Sequence, residues 1–349
     1  MLSTGRLDER DSAFPQAVQL PDGDILCSFS VGGGPNVHGG TDWARSTDGG
    51  ETWTLEGTIL PPTEVPYATN ALKLTLSADG RTMYAYGSRS YRKPEEKFGE
   101  GRNEPVLCCS TDEGHTWSPP QVIPMPCDGP LEISHGVLTL SSGRLLAPAA
   151  TLPAQDRLGE QMLVAISDDA GKTWPTHAVV FEDPNKRLGY FEQKLTEIAP
   201  GRAMAVCWTV TLGDVVDQPD SFTISNDNGS TLGPARSTGI RGQTMTPIPL
   251  GDDRLLVLYN RRYGDQGIMM TLVTFTDQAW TIHYESLMYD AKAKRERPEH
   301  LDTGVQEFDT FAFGFPTAIP LQDGTYLATH WCQEAGTFGI RWTKLRIHW

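Results

Sequence analysis

The sequence predicts an all-β fold, a six-bladed β-propeller with four antiparallel strands in each blade. Three observations predict it: a polar box occurs four times, a hairpin pattern occurs six times, and no stretch has the apolar period of a long amphipathic helix. The 349 residues include 35 Gly and 25 Pro, which suits short strands joined by tight turns. We expect a single propeller domain spanning residues 1–349.

The repeated box is a polar turn that ends in a large apolar side chain. It reads STDGGETW from Ser46, and related boxes start at Ser110, Ser167 and Ser225. The box aspartates follow one another at intervals of 64, 57 and 58 residues: Asp48, Asp112, Asp169 and Asp227. Asp and Ser side chains hydrogen-bond within their own turn, Gly permits positive φ, and the final Trp covers the turn. We interpret the box as a structural clasp rather than a calcium or catalytic site.

Six apolar runs turn at a glycine and return as a second apolar run. The turns fall near Gly23, Gly80, Gly143, Gly201, Gly251 and Gly324. A box follows the hairpin in four units, and TFTDQAW is a decayed box in the fifth. Each unit therefore contains four strands in about 58 residues, which is typical of a propeller blade. The last unit lacks an outer strand, so we expect residues 2–8 to supply it and to close the ring.

The bulk composition narrows the classes of partner. A net charge of −15 argues against nucleic acid and against anionic membranes. The six cysteines form no CxxC pair, and no HExxH or EF-hand motif occurs, so no metal or other cofactor is expected. Residues 1–10 lack the apolar segment of a signal peptide, which favours a cytoplasmic protein, or a secreted one if a leader has been removed. The oligomeric state is left open.

A ligand pocket is expected at the mouth of the ring, on the face opposite the glycine turns and the boxes. The loops that precede each first strand, and those that join second and third strands, lie on that face. The loop SVGGGPNVHGGTD presents His38 and Asp42, and the third unit presents Glu132 and His135 ahead of its inner strand. We take His38, Asp42 and His135 as candidate catalytic residues and Glu132 as a candidate binding residue.

The fourth unit brings Tyr190 and Glu192 to the same face. A carboxyl group at the mouth of a mostly apolar ring has a raised pKa, which suits a general acid near neutral pH. Glu192 is therefore the best single candidate for catalysis. We expect it to meet His135 and Arg241, because the inner strands of consecutive blades converge on the axis.

Basic, amide and aromatic side chains complete the candidate site. In addition to Glu132 and Tyr190, the candidates for binding the substrate are Arg89, Arg241, Gln243, Arg261, Arg262 and Trp331. Arg and Gln bind sugar hydroxyls or a carboxylate, and Trp stacks on a pyranose ring. Adjacent residues of a strand point to opposite faces, so at most one of Arg261 and Arg262 reaches the ligand.

The S/T-x-D-x-G-x-T-W box in propeller register resembles the Asp-box, or BNR repeat, of the sialidase superfamily, over the whole chain. The resemblance implies a sialidase-like propeller, three arginines that bind the sialic acid carboxylate, and a nucleophilic Tyr. Ala13 stands at the first Arg position, Trp208 near the second, and Phe315 near the Tyr. These side chains cannot perform those roles, so the chain is expected to diverge from ordinary sialidases.

Other elements of the sialidase pattern are retained. Glu192 stands where the family has the Glu that polarises the Tyr, and Arg261 or Arg262 stands near the third Arg. His38 and Asp42 occupy the loop that carries the acid/base Asp of the family. The resemblance therefore implies a relative of sialidases with a changed reaction or substrate.

The sequence predicts a carbohydrate-active enzyme that acts on an oligosaccharide or polysaccharide. The leading hypothesis is a glycoside hydrolase acting on an acidic or uronic-acid-containing glycan, with Glu192 and Asp42 as candidate carboxylates. A polysaccharide lyase is the second hypothesis, since His38, His135, Arg241 and Gln243 are the residue types that abstract a proton beside a neutralised uronate. A non-catalytic glycan-binding propeller is the third.

Overall fold

A computed structural model describes residues 1–36, 39–93, 95–96, 100–296 and 308–349. These residues form 26 strands and two short 3-10 segments, Gly34–Asn36 and Phe308–Thr310. The described part of the chain contains no helix with the length and apolar character needed to cross a membrane.

The strands group into six antiparallel sheets. Strand β1 (Ser3–Asp8) precedes blade 1, which contains β2 (Ser12–Gln19), β3 (Ile25–Val31), β4 (Gly40–Ser46) and β5 (Thr54–Leu60). Blade 2 contains β6 (Thr63–Glu64), β7 (Tyr67–Leu76), β8 (Met83–Ser90), β9 (Asn103–Ser110) and β10 (Gln121–Val122). Blade 3 contains β11 (Leu131–Glu132), β12 (Leu138–Thr139), β13 (Leu145–Thr151), β14 (Gln161–Ser167) and β15 (Thr176–Glu182).

The remaining strands repeat the same order. Blade 4 contains β16 (Leu188–Ala199), β17 (Arg202–Thr211), β18 (Ser221–Ser225) and β19 (Arg236–Ser237). Blade 5 contains β20 (Gln243–Gly251), β21 (Arg254–Arg261), β22 (Gly264–Phe275) and β23 (Trp280–Arg295). Blade 6 contains β24 (Phe313–Pro320), β25 (Tyr326–Glu334) and β26 (Thr337–Leu345), and β1 is its fourth strand.

The sheets form a closed ring, which confirms the predicted six-bladed propeller. The inner strands contact one another in sequence, and β2 of blade 1 contacts β24 of blade 6. Strand β1 pairs with β26, with Gly5 opposite Trp342, so the N-terminal strand completes the last blade as expected. A Cβ atom at Gly5 would lie 2.7 Å from the Trp342 ring, so the closing strand approaches too closely for a larger residue.

The hydrophobic core lies between the blades. Six clusters of buried residues each draw side chains from two neighbouring blades. The last residue of each box packs against the core between its own blade and the preceding one: Trp53, Trp117, Trp174 and Leu232. Each blade is therefore stabilised by both of its neighbours.

The box closes its own turn with hydrogen bonds. The Asp48 carboxylate accepts bonds from the Thr52 hydroxyl at 2.6 Å and from the Thr52 amide at 2.9 Å. These bonds hold the pKa of Asp48 at about 2. The aspartates of the other three boxes repeat the arrangement: Asp112, Asp169 and Asp227. In the decayed box, Asp277 instead pairs with Arg202 at 2.7 Å.

Candidate active site

Four of the six inner strands carry a bulge close to the start of the strand. One residue in each bulge has positive φ: Phe14 (57°), Glu192 (51°), Thr244 (54°) and Phe315 (52°). Positive φ is uncommon for side chains of this size and clusters at functional sites, and a bulge re-aims the side chain that it carries.

The bulge residues contact one another across blade boundaries. The rings of Phe14 in blade 1 and Phe315 in blade 6 lie 5.6 Å apart in an edge-to-face arrangement. The Thr244 hydroxyl in blade 5 donates a hydrogen bond to the Glu192 carboxylate in blade 4. The bulges therefore direct these four side chains towards the axis of the ring.

Blade 3 has an interrupted inner strand in place of a bulge. Strands β11 and β12 both pair with β13, and residues 133–137 between them leave the ladder. Glu132 ends β11, and His135 lies within the interruption. The break therefore has one ionisable side chain at its edge, Glu132, and a second within it, His135.

Two lysines, from blades 2 and 4, lie close to the aromatic rings of these bulge residues. The Lys73 nitrogen lies 5.6 Å from the centroids of the Phe14 and Phe315 rings, and the Lys194 nitrogen lies 3.4 Å from the centroid of Phe315. All six blades thus contribute to one group of side chains. We name it the axial cluster: Phe14, Lys73, Glu132, His135, Glu192, Lys194, Thr244 and Phe315.

The two carboxyl groups of the cluster have different surroundings. Glu132 is buried, and its Oε2 atom has no hydrogen-bond partner among the described residues. Its pKa is raised to about 7, first by burial and then by the nearby charge of Glu192, while Lys73 and Lys194 oppose the rise. Glu192 is partly exposed and accepts the bond from Thr244.

The pKa values of the three basic groups in the cluster are also shifted. Burial lowers the pKa of Lys73 to about 8, and burial together with the charge of Lys73 lowers the pKa of Lys194 well below its ordinary value. Desolvation, then Lys194 and Lys73, hold the pKa of His135 well below its ordinary value, so its imidazole is neutral near pH 7. Among the described residues, no three or more His, Cys, Asp or Glu side chains are grouped to hold a metal ion.

Gln243 and Arg262 form a pair beside the cluster. Arg262 is 5% exposed, its Nε donates to Gln243 Oε1 at 3.2 Å, and its guanidinium lies 3.9 Å from the centroid of the Phe311 ring. Arg261 is partly exposed and donates to the Asp265 carbonyl at 2.6 Å. The two adjacent arginines thus have different surroundings, one buried and one partly exposed.

Two predicted sugar-contacting aromatics lie in interblade cores. Tyr190 is 3% exposed and stacks on Phe181 at 5.2 Å between blades 3 and 4. Trp331 is 3% exposed and meets Phe14 edge-to-face at 6.4 Å between blades 6 and 1. Neither ring has a free face for a pyranose, which corrects their predicted place at the mouth. Tyr190 precedes the bulge that carries Glu192, and Trp331 packs against Phe14 and Phe338 in the core between blades 6 and 1.

Asp42 and Arg89 each form ion pairs and hydrogen bonds with residues that do not belong to the axial cluster. Asp42 accepts a hydrogen bond from Thr58 at 2.7 Å and pairs with Arg10 at 3.1 Å. Arg89 donates to Glu104 at 3.0 and 2.6 Å.

Arg241 is exposed two residues before β20, and none of the contacts that define the axial cluster involves it. The charge of Glu192 acts on Glu132, and Lys194 lies near both of these carboxyl groups and near His135, whereas Arg241 lies at the solvent-facing start of the strand. His38 lies outside the described residues.

Comparison with known proteins places the fold. Residues 44–55 match the BNR/Asp-box repeat family. The chain is similar in structure to a protein of unknown function from Dyadobacter fermentans, with a TM-score of 0.77 and 22% identity over 99% of this chain and 98% of that one. It is also similar to the NanB sialidase from Streptococcus pneumoniae, with a TM-score of 0.66 and 12% identity over 97% and 69% of the two chains.

A third similar structure is an α-L-arabinanase from Penicillium chrysogenum complexed with arabinobiose, with a TM-score of 0.65 and 15% identity over 98% of each chain. No curated protein matches the sequence. The chain is an Asp-box β-propeller of sialidase-like fold. Its low identity to the sialidase agrees with the predicted divergence from ordinary sialidases.

In this Asp-box propeller, the three positions that break the sialidase pattern are buried. Ala13 is fully buried, and the Trp208 indole donates to Asp217 at 2.7 Å. Phe315 is 3% exposed, and its ring faces the Lys194 nitrogen, so it offers an aromatic ring and no nucleophilic oxygen.

Sequence reasoning missed four members of the axial cluster: Phe14, Lys73, Lys194 and Thr244. A signal for the lysines was present, since each lies seven residues before a hairpin glycine, Gly80 or Gly201. For Phe14 and Thr244 no signal was available, because the bulges that re-aim them follow from packing around the axis.

Proposed function

We propose that this Asp-box propeller is a glycoside hydrolase whose carboxyl pair is Glu132 and Glu192. Glu132 acts as the proton donor to the leaving sugar, and Glu192 acts as the base or nucleophile. The observation that carries the proposal is the unequal surroundings of two carboxyl groups in one axial cluster, since such a difference assigns acid and base roles in glycosidases.

The properties of each group support its role. Glu132 has a pKa raised to about 7, so it still holds a proton near neutral pH. Glu192 is partly exposed and is oriented by Thr244, which suits a group that meets the substrate. This assignment moves the acid role from Glu192 to Glu132 and uses Glu132 in place of Asp42 as the second carboxyl group.

The proposed substrate is a glycan that contains an acidic sugar. Arg241, which is exposed, and Arg261, which is partly exposed, lie at the end of blade 5 where β20 starts and β21 finishes, and we take that end as the mouth of the ring. Arginines in a cleft can make the local electrostatic potential positive, even though the net charge of the whole chain is −15. The names of two similar structures, a sialidase and an arabinanase, also support a glycan as substrate.

The test is a panel of neutral and acidic glycans with analysis of the products. We expect release of a reducing sugar, and a loss of about 10²–10⁴-fold in kcat for both Glu132→Gln and Glu192→Gln. Glu56→Gln, an exposed glutamate of blade 1, is the matched control and should keep full activity. Activity should fall as the pH rises through about 7, where Glu132 loses its proton.

A lyase is the second candidate, because His135 is held neutral by burial and is therefore available as a base. A lyase would yield an unsaturated, ultraviolet-absorbing uronate, and His135→Gln would then cost more activity than Glu192→Gln. Glycan binding without any product would instead support the binding-propeller hypothesis and contradict both enzymatic ones.

A further inference from the structure

Lys73 and Lys194 occupy the same position in two different blades. Each lies seven residues before the glycine of its hairpin, Gly80 or Gly201, and they flank blade 3 from either side. Lys73 is 3% exposed and Lys194 is 0% exposed. Burial of an ammonium group is costly unless polar groups compensate for its lost hydration, so the compensating partners indicate what each lysine does.

The compensating partners are consecutive carbonyls of the interrupted strand. Lys73 Nζ donates to the carbonyl of Ile133 at 3.0 Å and to that of Ala71 at 3.2 Å. Lys194 Nζ donates to the carbonyl of Ser134 at 2.6 Å. Ile133 and Ser134 lie outside the β11–β13 and β12–β13 pairings, so the lysines take the place of the missing ladder partners.

Blade 3 has a glycine at the position that the lysines occupy in the neighbouring blades. Gly136 lies seven residues before Gly143. A Cβ atom at Gly136 would lie 2.8 Å from Gln16 Nε2 and 3.5 Å from the Lys73 Cβ. The missing side chain therefore allows the interruption to pack directly against blade 2, within reach of Lys73.

We propose that Lys73 and Lys194 are positioning residues, which clamp residues 133 and 134 from the two neighbouring blades and so fix Glu132 and His135 in the axial cluster. Glu132 immediately precedes the clamped carbonyls, and His135 immediately follows them. A shift of the segment would move both side chains together. The effect on catalysis rests on the proposed function, whereas the clamp itself does not.

The first experiment compares Lys73→Met and Lys194→Met with Lys172→Met, an exposed lysine that serves as control. On a cleaved substrate, we expect the two clamp variants to lose on the order of 10²-fold in kcat with a small change in KM, because the proton donor is misplaced while the substrate still binds. An unchanged kcat in both variants would overturn the proposal.

The second experiment needs no substrate. The protein is labelled with ¹³C at the glutamate carboxyl groups, and Glu132 is titrated by NMR in the wild type and in Lys73→Met. The charge of Lys73 lowers the pKa of Glu132, so its removal should move the Glu132 titration to higher pH. An unchanged titration would show that the Lys73 charge does not lie beside Glu132, whatever the melting temperature does, and would contradict the proposal.

A reciprocal variant covers the case in which the lysine variants fail to fold. Glu132→Gln alters only the carboxyl group, and Glu132 raises the pKa of Lys73. In ¹³C-lysine-labelled protein, Glu132→Gln should therefore move the Lys73 titration to lower pH, and an unmoved titration would refute the coupling. Failure to cleave any glycan contradicts the proposed hydrolase alone, whereas unmoved titrations contradict the clamp alone.

Discussion

Thr244 donates a hydrogen bond to Glu192 across the boundary between blades 4 and 5. Both residues have positive φ, and both sit in the bulge of an inner strand. The same irregularity in consecutive blades thus aims one donor and one acceptor at the axis. The bond fixes the orientation of the carboxyl group that we propose as the base or nucleophile.

Replacement of Thr244 by Val should remove this bond while keeping the shape of the side chain. Hydrogen bonds to charged groups contribute about 1.5–3 kcal/mol, so we expect a fall of roughly tenfold or more in kcat. Thr244→Ser keeps the hydroxyl and should retain most of the activity. Steady-state kinetics on the cleaved glycan check the pair, and equal kcat values for the Val and Ser variants would show that the bond is not needed.

The stability of Glu132→Gln relative to the wild type should depend on pH. The pKa of Glu132 is raised in the folded protein, so its stabilising contribution is present in full below the ordinary glutamate pKa and is lost as the pH rises through about 7. The variant should therefore gain stability relative to the wild type between about pH 4.5 and 7.

Melting curves of Glu132→Gln across that range provide the measurement, and Glu56→Gln, exposed in blade 1, is the control. A constant difference between variant and wild type at all pH values would show that Glu132 is not buried in its protonated form.

A functioning box and the decayed box should respond differently to the loss of their aspartate. Asp169 accepts bonds from the Thr173 hydroxyl and amide, and its pKa is lowered to about 2 mainly by these bonds. Its contribution is present above the ordinary aspartate pKa and is lost as the pH falls through about 2. Asp169→Asn should lower the melting temperature at pH 7, and by less near pH 2.

Asp277→Asn is the matched control for the box, because Asp277 pairs with Arg202 at the surface instead of closing its own turn. We expect a smaller change in melting temperature for this variant, since exposed ion pairs contribute little. Equal losses in both variants would argue against the clasp interpretation.

The propeller should not release sialic acid from a fluorogenic sialoside, and Phe315→Tyr should not restore that reaction. Ala13 and Trp208 occupy two of the predicted arginine positions, and both are buried. A tyrosine at position 315 would therefore lack the carboxylate-binding partners that hold a sialoside. Rapid release of the fluorophore by either protein would show that the sialidase pattern was assigned to the wrong residues.

The sequence by itself determined the architecture. The boxes and hairpin turns depend on hydrogen bonds and glycine conformations within a few residues, so their chemistry is visible in a short window. All six predicted turn glycines have positive φ. Glu192 was also a candidate from sequence alone, because it lies close to the start of the inner strand of its unit.

Only the tertiary structure decided which side chains meet there. A shift of one residue reverses the face to which a strand presents its side chains, and bulges in four inner strands and a break in a fifth introduce such shifts. For this reason Tyr190 packs in a core while Glu192 reaches the axis. The lysine contacts join residues 60 positions apart, which no local pattern specifies, because the packing of neighbouring blades creates them.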